Sequence, residues 1–281
     1  MKIIFNGDLI DENTNVFNAM NRSYRYGDAL FETIRFQNGK AMFLEDHLER
    51  LMNGMHLLKM ETKNFDADFF GKMFEKLYAE NKLKGAARIR LSVFRNGGGY
   101  YLPSENSVGF TIQMVALENE SYQWNEEGKR VCIYDGDKKS MSSISNYKTA
   151  NALIYVQAAL HAKQQGTDDC LILNQNGNIC DSIQSNVFLV KGSKIITPAL
   201  NEGCVDGIMR KQIIRHAFLN KLSVVFKPIN NADLVTADEM FLTNVINGIQ
   251  WVERLEDKYY TAEFANILFG FLTESESSNL K

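Results

Sequence analysis

Short apolar runs closed by tight glycine turns constrain this chain more than any other feature. IIFNGDLI turns at Asn6-Gly7, FETIRFQNGKAMF at Asn38-Gly39, CLILNQNGNICDS at Asn176-Gly177 and NVFLVKGSKIITP at Gly192. Glycine takes positive φ without steric cost, so each run reads as a β-hairpin. Helical periodicity separates them. In EDHLERLMNGMHLLKM, Leu48, Leu51, Met55 and Leu58 fall on one face, and the pattern continues from about Ala67 to Asn81. ARIRLSVFR and VGFTIQMVAL read as further strands, a stretch from about Thr149 to Gln165 reads as a helix ended by Gly166, and GIMRKQIIRHAFL reads as another helix. The mixture is that of an α/β (α+β) protein.

At 281 residues the chain suits about two domains. The polar, acidic segment after Ala116 is the best linker. It divides a small N-terminal sheet-plus-helices domain (1–117) from a larger strand-rich C-terminal domain (130–281), with 118–129 between them. SESSNLK at the end reads as a frayed tail.

Lysine and arginine total 31 against 34 acids, a net charge of −3, so no global field favours nucleic acid or an anionic membrane. The apolar run Ile3 to Phe5 is far too short for a signal peptide or a membrane span, and a cytoplasmic location is expected. Cys132, Cys170, Cys180 and Cys204 form no CxxC pair and read as reduced core thiols. His47, His56, His161 and His216 lack metal-motif spacing and read as core or surface residues. No GxGxxG, GxxxxGK[ST] or GxSxG motif is present, which removes the common routes to nucleotide and serine-hydrolase chemistry.

Two segments suit an anion. VDGIMRKQII puts a glycine ahead of an amphipathic helix, whose first N–H groups and dipole would receive a phosphate; an ordinary helix start is the competing reading. TADEMFLTNVINGIQWV runs from a strand into Thr243-Asn244, a possible hydroxyl and N–H pair for the same anion or a plain strand end.

YRYGDALFETIR at 24–35, LEDHLERL at 44–51, NYKTANALI at 146–154, GNICDSIQSNVFLV at 177–190, VDGIMR at 205–210 and DEMFLTN at 238–244 resemble, in order, the signatures of the class IV aminotransferase family. That family of fold-type IV pyridoxal-phosphate enzymes includes branched-chain and D-amino-acid aminotransferases and aminodeoxychorismate lyase. The resemblance implies a two-domain fold, an active site between the domains, a homodimer whose partner lends residues, and pyridoxal 5'-phosphate as cofactor. Metal, membrane and nucleic acid have no part in it.

Lys148 matches the family's Schiff-base lysine, whereas Lys138 and Lys139 read as solvated. Arg50 matches the phosphate-binding arginine, the alternative being a helix-surface residue. Ile208 and Met209 are expected to offer backbone N–H groups to the phosphate, and Val205 to pack on the pyridine ring. Asp181 stands where the family has a glutamate for the ring nitrogen, one methylene short, and Ser185 and Asn186 are expected to position the ring. Arg95, ahead of a flexible NGGGYY loop, is a candidate for the substrate carboxylate, and Tyr26, Phe31 and Tyr100 for the pocket wall. The implied reaction is amino transfer between an amino acid and a 2-keto acid. The alternatives are aminodeoxychorismate lyase, towards which Met209 points, and a family member without activity.

Overall fold

The computed structural model describes residues 1–62 and 65–278, with side chains to 273. The chain forms two compact units, one of Met1–Ser121 with Tyr147–Asn151 and one of Tyr122–Asn146 with Ala152–Lys281.

In the first unit, β1 (Lys2–Phe5), β2 (Asp8–Asp11), α1 (Arg22–Tyr26), β3 (Ala29–Gln37), β4 (Lys40–Ala41), α2 (Leu44–Leu57), α3 (Ala67–Glu80), β5 (Ala87–Arg95) and β6 (Val108–Ala116) follow in order. The strands form one antiparallel sheet in the order β2-β1-β6-β5-β3-β4. Alternation along β5 sends Ile89, Leu91 and Val93 into the core and leaves Arg90 and Ser92 half-buried on the other face. Helices α2 and α3 contribute Leu51, Met55, Phe70 and Phe74 to that core. Phe70 and Phe74 are fully buried, and truncating either to alanine would cost about 3–5 kcal/mol.

In the second unit, β7 (Lys129–Ile133), α4 (Leu153–Gln165), β8 (Asp169–Leu173), β9 (Ile179–Ser182), β10 (Asn186–Lys191), β11 (Lys194–Thr197), α5 (Ile208–Leu219), β12 (Ser223–Phe226), α6 (Asn231–Thr236), β13 (Glu239–Asn244), β14 (Gly248–Leu255), β15 (Lys258–Tyr259) and α7 (Glu263–Ser278) follow. The sheet runs β12-β11-β10-β13-β14-β7-β8-β9, with β15 on β14. It is mixed: β11/β12, β14/β7 and β7/β8 are parallel and the other pairs antiparallel. Phe188 and Phe241 stack across β10 and β13 with centroids 5.0 Å apart, fixing the register that sets Asn186 opposite Thr243.

Three expectations need correction. The helix after Lys148 starts at Leu153 rather than Thr149, because the preceding residues pair with β3 instead. The loop after Arg95 is tied down: Arg22 donates to the carbonyls of Gly98 (3.2 Å), Tyr100 (2.6 Å) and Tyr101 (3.3 Å). Helical backbone continues to Ser278 inside the expected tail, and 279–281 lie outside the described residues. No described helix is long and apolar enough to cross a membrane.

Candidate active site

Lys148 sits on the edge of the first sheet. Phe31 N–H donates to the Lys148 carbonyl (2.8 Å), Ala150 N–H donates to Ala29 O (2.9 Å), and Thr149 bridges Leu30. These contacts extend the N-terminal half of β3 by one short strand and fix the backbone at Lys148. Gly54 makes room for it: a Cβ there would stand 3.0 Å from a Leu30 methyl and 3.2 Å from the Tyr147 ring. The Lys148 Nζ lies 4.7 Å from the centroid of Phe31, and the Arg90 guanidinium carbon lies 3.9 Å from the same centroid. Phe31 pairs with Ser92 and Thr33 with Arg90, so all four occupy the sheet face opposite the core. Arg90 faces no carboxylate within ion-pair distance among the described residues, and burial followed by the Arg88 charge lowers its pKa.

Arg50 is buried on α2, not a helix-surface arginine. Its Nε and Nη2 bind Glu32 on β3 at 2.9 and 2.5 Å, and Glu32 also meets His47 Nδ1 at 2.6 Å. Burial opposes the Glu32 charge, but Arg50 and then His47 outweigh it and hold the carboxyl at about 2. The His47 pKa is lowered as well: burial favours its neutral form, against Glu32 and with help from the Arg50 and Lys148 charges. Glu32 thus fixes the planar fork of Arg50 in one orientation.

In the second unit Asp181, fully buried on β9, is caged by donors. Lys139 Nζ is 2.5 Å and Tyr155 Oη 3.1 Å from Oδ2, Asn186 Nδ2 is 3.3 Å from Oδ1, and the Val205 N–H is 3.2 Å from both oxygens. Lys139 is therefore no solvated lysine; it is 8% exposed and also donates to Ser145 O at 3.2 Å. Burial works against its charge, yet Asp181 and Tyr155 outweigh burial and hold the ammonium above the ordinary lysine range. Burial pushes Asp181 upward, and Lys139 opposes that.

Beside this cage α5 begins at Ile208 after Gly207, which offers no capping side chain. Helix geometry leaves the first-turn N–H groups, those of Ile208 and Met209 among them, for an outside acceptor. A Cβ at Gly207 would stand 1.8 Å from Asn186 Oδ1, so only glycine lets the turn approach Asn186, whose Nδ2 donates to Val205 O at 2.8 Å. Opposite Asn186, Thr243 has a buried hydroxyl with no hydrogen-bond partner, and Asn244 Nδ2 donates to Ser185 Oγ at 3.0 Å. An orphaned hydroxyl beside uncapped helix N–H groups is suited to an anionic oxygen.

Arg95 is not a free fork. It donates to Asp28 (2.9 Å), Leu58 O (2.7 Å), Asn106 Oδ1 (2.6 Å) and Lys59 O (3.3 Å), while Arg22 shares Asp28 at 2.8 Å. It is a structural clamp at the end of β5. Tyr26 packs against Tyr101 and the guanidinium groups of Arg22 and Arg25, and Tyr100 is 78% exposed beside Arg25. Sequence reading assigns Arg90, Glu32 and Tyr155 no site role and takes Lys139 as a solvated lysine. Arg90 carried one signal, its polar position in the alternation of ARIRLSVFR; Lys139, within a polar run, carried none.

The two-sheet architecture is that of the fold-type IV pyridoxal-phosphate enzymes. It superposes on the branched-chain aminotransferase of Thermobaculum terrenum, solved in its PLP-form, with a TM-score of 0.84 over 98% of this chain and 93% of that one at 21% identity. Residues 29–255 match the amino-transferase class IV family, and the chain belongs to it. A putative branched-chain-amino-acid aminotransferase of Methanocaldococcus jannaschii is 28% identical over 86% of this chain and 84% of its own length. An aminodeoxychorismate lyase of Bacillus subtilis is 27% identical over 93% and 89%.

Proposed function

We propose that this chain is an amino-acid aminotransferase, moving an amino group between an amino acid and a 2-keto acid, with Lys148 as the amine that carries pyridoxal 5'-phosphate. One observation carries the reading: the Lys148 amine and the Arg90 guanidinium stand at 4.7 and 3.9 Å on one Phe31 ring. An amine for the chemistry and a planar fork for a carboxylate are what an amino-acid substrate requires.

The residues present fit the cofactor. The Thr243 hydroxyl is orphaned, α5 is uncapped, and Asp181 is a buried carboxylate. In this reading Arg50, Thr243 and the N–H groups of Ile208 and Met209 hold the phosphate. Val205 packs on the ring, while Ser185, Asn186 and Asn244 set the surrounding backbone. Asp181 serves the ring nitrogen through Oδ1, the oxygen turned away from Lys139. Pyridoxal phosphate supplies the aldehyde and an electron sink for the pair left at the substrate Cα. Lys148 Nζ, 4.7 Å from the Phe31 centroid, would carry the proton of the substrate Cα. Arg90 holds the substrate carboxylate over Phe31, and Tyr26 belongs to the pocket wall.

Met209 favours a second reading, a lyase releasing pyruvate and 4-aminobenzoate from aminodeoxychorismate. The reading also has the chain act in the cytoplasm as a homodimer, which sedimentation at micromolar concentration tests. The deciding experiment is borohydride trapping with peptide mapping, then a panel of amino donors and keto acids alongside aminodeoxychorismate. An adduct on Lys148 and activity lost in Lys148→Ala are expected. An adduct on another peptide overturns the assignment; product from aminodeoxychorismate without any amino acceptor overturns the transaminase and leaves the lyase.

A further inference from the structure

Away from Asp181, the second unit gathers three soft-metal donors that the proposed reaction does not use. Cys132 on β7 and Cys170 on β8 are register partners on adjacent parallel strands, and their sulfurs are 3.1 Å apart. His161, near the end of α4, brings a ring nitrogen to the same place, so that the three donor atoms lie within 4.8 Å of one another. Helix α4 approaches this closely because Ala158 and Ala162 are its buried residues and pack in the same cluster as both cysteines.

We propose that Cys132, Cys170 and His161 form a binding site for a soft, closed-shell divalent cation of the zinc class. Two thiolates and an imidazole are the donor set such an ion prefers. Binding expels one proton from each thiol to solvent, and the cation's two charges balance the two thiolates. Tetrahedral zinc, with bonds of about 2.3 Å to sulfur, sets two sulfurs roughly 3.8 Å apart, so the pair opens by less than 1 Å through side-chain rotation. The fourth position falls to water or to Asp135, whose carboxylate is 3.4 Å from His161 Nδ1 and mostly exposed. If Asp135 stays on the ring instead, it gives the carboxylate–histidine contact that commonly orients a metal-bound imidazole.

The surroundings hold the donors in place. The hydroxyl of Thr167 is 3.2 Å from the Cys132 sulfur. Tyr134 meets the His161 ring edge-on at 5.7 Å and fixes its plane. Cys170 is sealed, whereas the His161 side chain is 17% exposed and leaves an entry path. An ion here would clip α4 to β7 and β8. Tyr155, which reaches Asp181, stands on that same helix.

Cadmium titration of the reduced, chelator-stripped full-length chain tests the site through the thiolate-to-cadmium ultraviolet band. A band saturating at one equivalent per chain and a raised Tm are expected. Cys132→Ser and Cys170→Ser should lose the band, His161→Gln should shift the titration to higher cadmium, and Cys180→Ser should keep it, each variant showing native far-UV circular dichroism. His161 is partly exposed, so His161→Gln keeps the test open should a buried serine unfold the chain. No band in the native chain, an unchanged band in Cys132→Ser and Cys170→Ser, or an unshifted titration in His161→Gln overturns the proposal. Loss of two titratable thiols under air, reversed by reductant and replacing any metal band, overturns it in favour of a disulfide.

Discussion

Replacing Glu32 by glutamine tests whether charge holds the buried triad around Arg50. Glu32 is 1% exposed, and its carboxyl falls from 4.5 to about 2 on folding, a difference of about 2.5. At about 1.36 kcal/mol per unit, the ionised carboxylate contributes about 3 kcal/mol. The folded value lies below the unfolded one, so this stability is fully present above 4.5 and is lost as pH falls from 4.5 towards 2. His47 adds the same sign, since its folded value lies below 6.5 and the unfolded chain takes up that proton first. Glu32→Gln should therefore lose about 3 kcal/mol near neutral pH, within the range for breaking a buried pair. At about 2–4 °C per kcal/mol for a chain of this size, Tm falls by roughly 6–12 °C. Urea unfolding followed by far-UV circular dichroism at about pH 7 and about pH 3 reads the difference; at the lower pH the gap should shrink to under half. A gap that stays constant with pH, or none at pH 7, would refute a charge-held triad.

Two further outcomes follow from the site. Lys139→Met should cost about 3 kcal/mol, the lower end for a broken buried pair, because Tyr155, Asn186 and Val205 still donate to Asp181. The double variant Lys139→Met/Asp181→Asn should regain most of it in denaturant titrations; a double variant as unstable as the sum of the singles sinks the pairing. Arg90→Gln should raise KM for amino donors by roughly 10–150-fold, the worth of about 1.5–3 kcal/mol for a charged hydrogen bond. The cofactor absorbance should not change, and an unaltered KM would remove Arg90 from substrate binding.

Local chemistry made the hairpins legible. Asn6-Gly7, Asn38-Gly39 and Asn176-Gly177 each sit at the turn between paired strands, with φ positive at every glycine named. Four buried free cysteines likewise follow from their apolar settings. What sequence could not give was anything decided by a distant partner. Thr149 continues a helical pattern, yet the free edge of β3 captures it and delays α4 to Leu153. Lys138 and Lys139 are identical in type and adjacent; only the position of Asp181 on β9 buries the second. Arg95 precedes a glycine-rich loop and invites a binding role, but Asp28, 67 residues away, occupies its guanidinium, while Arg90 stands beside Lys148 on Phe31. Cys132 and Cys170, 38 residues apart, meet only because β7 and β8 are parallel neighbours.

The aspartate at 181 and the lysine at 139 explain each other. A carboxylate one methylene shorter than glutamate stays closer to its own strand, and there Lys139, Tyr155 and the Val205 N–H hold Oδ2 while Asn186 and the same N–H hold Oδ1. The pair is neutral as a whole, so its effect on a neighbouring group depends on which end faces that group. Lys139 binds Oδ2 and Asn186 binds Oδ1, which leaves Oδ1 as the end without an ammonium. Asn186 also contacts the α5 turn through the space Gly207 leaves open. The carboxylate, the glycine turn and the orphaned Thr243 hydroxyl are thus registered to one asparagine, and a change at Asn186 would disturb all three together.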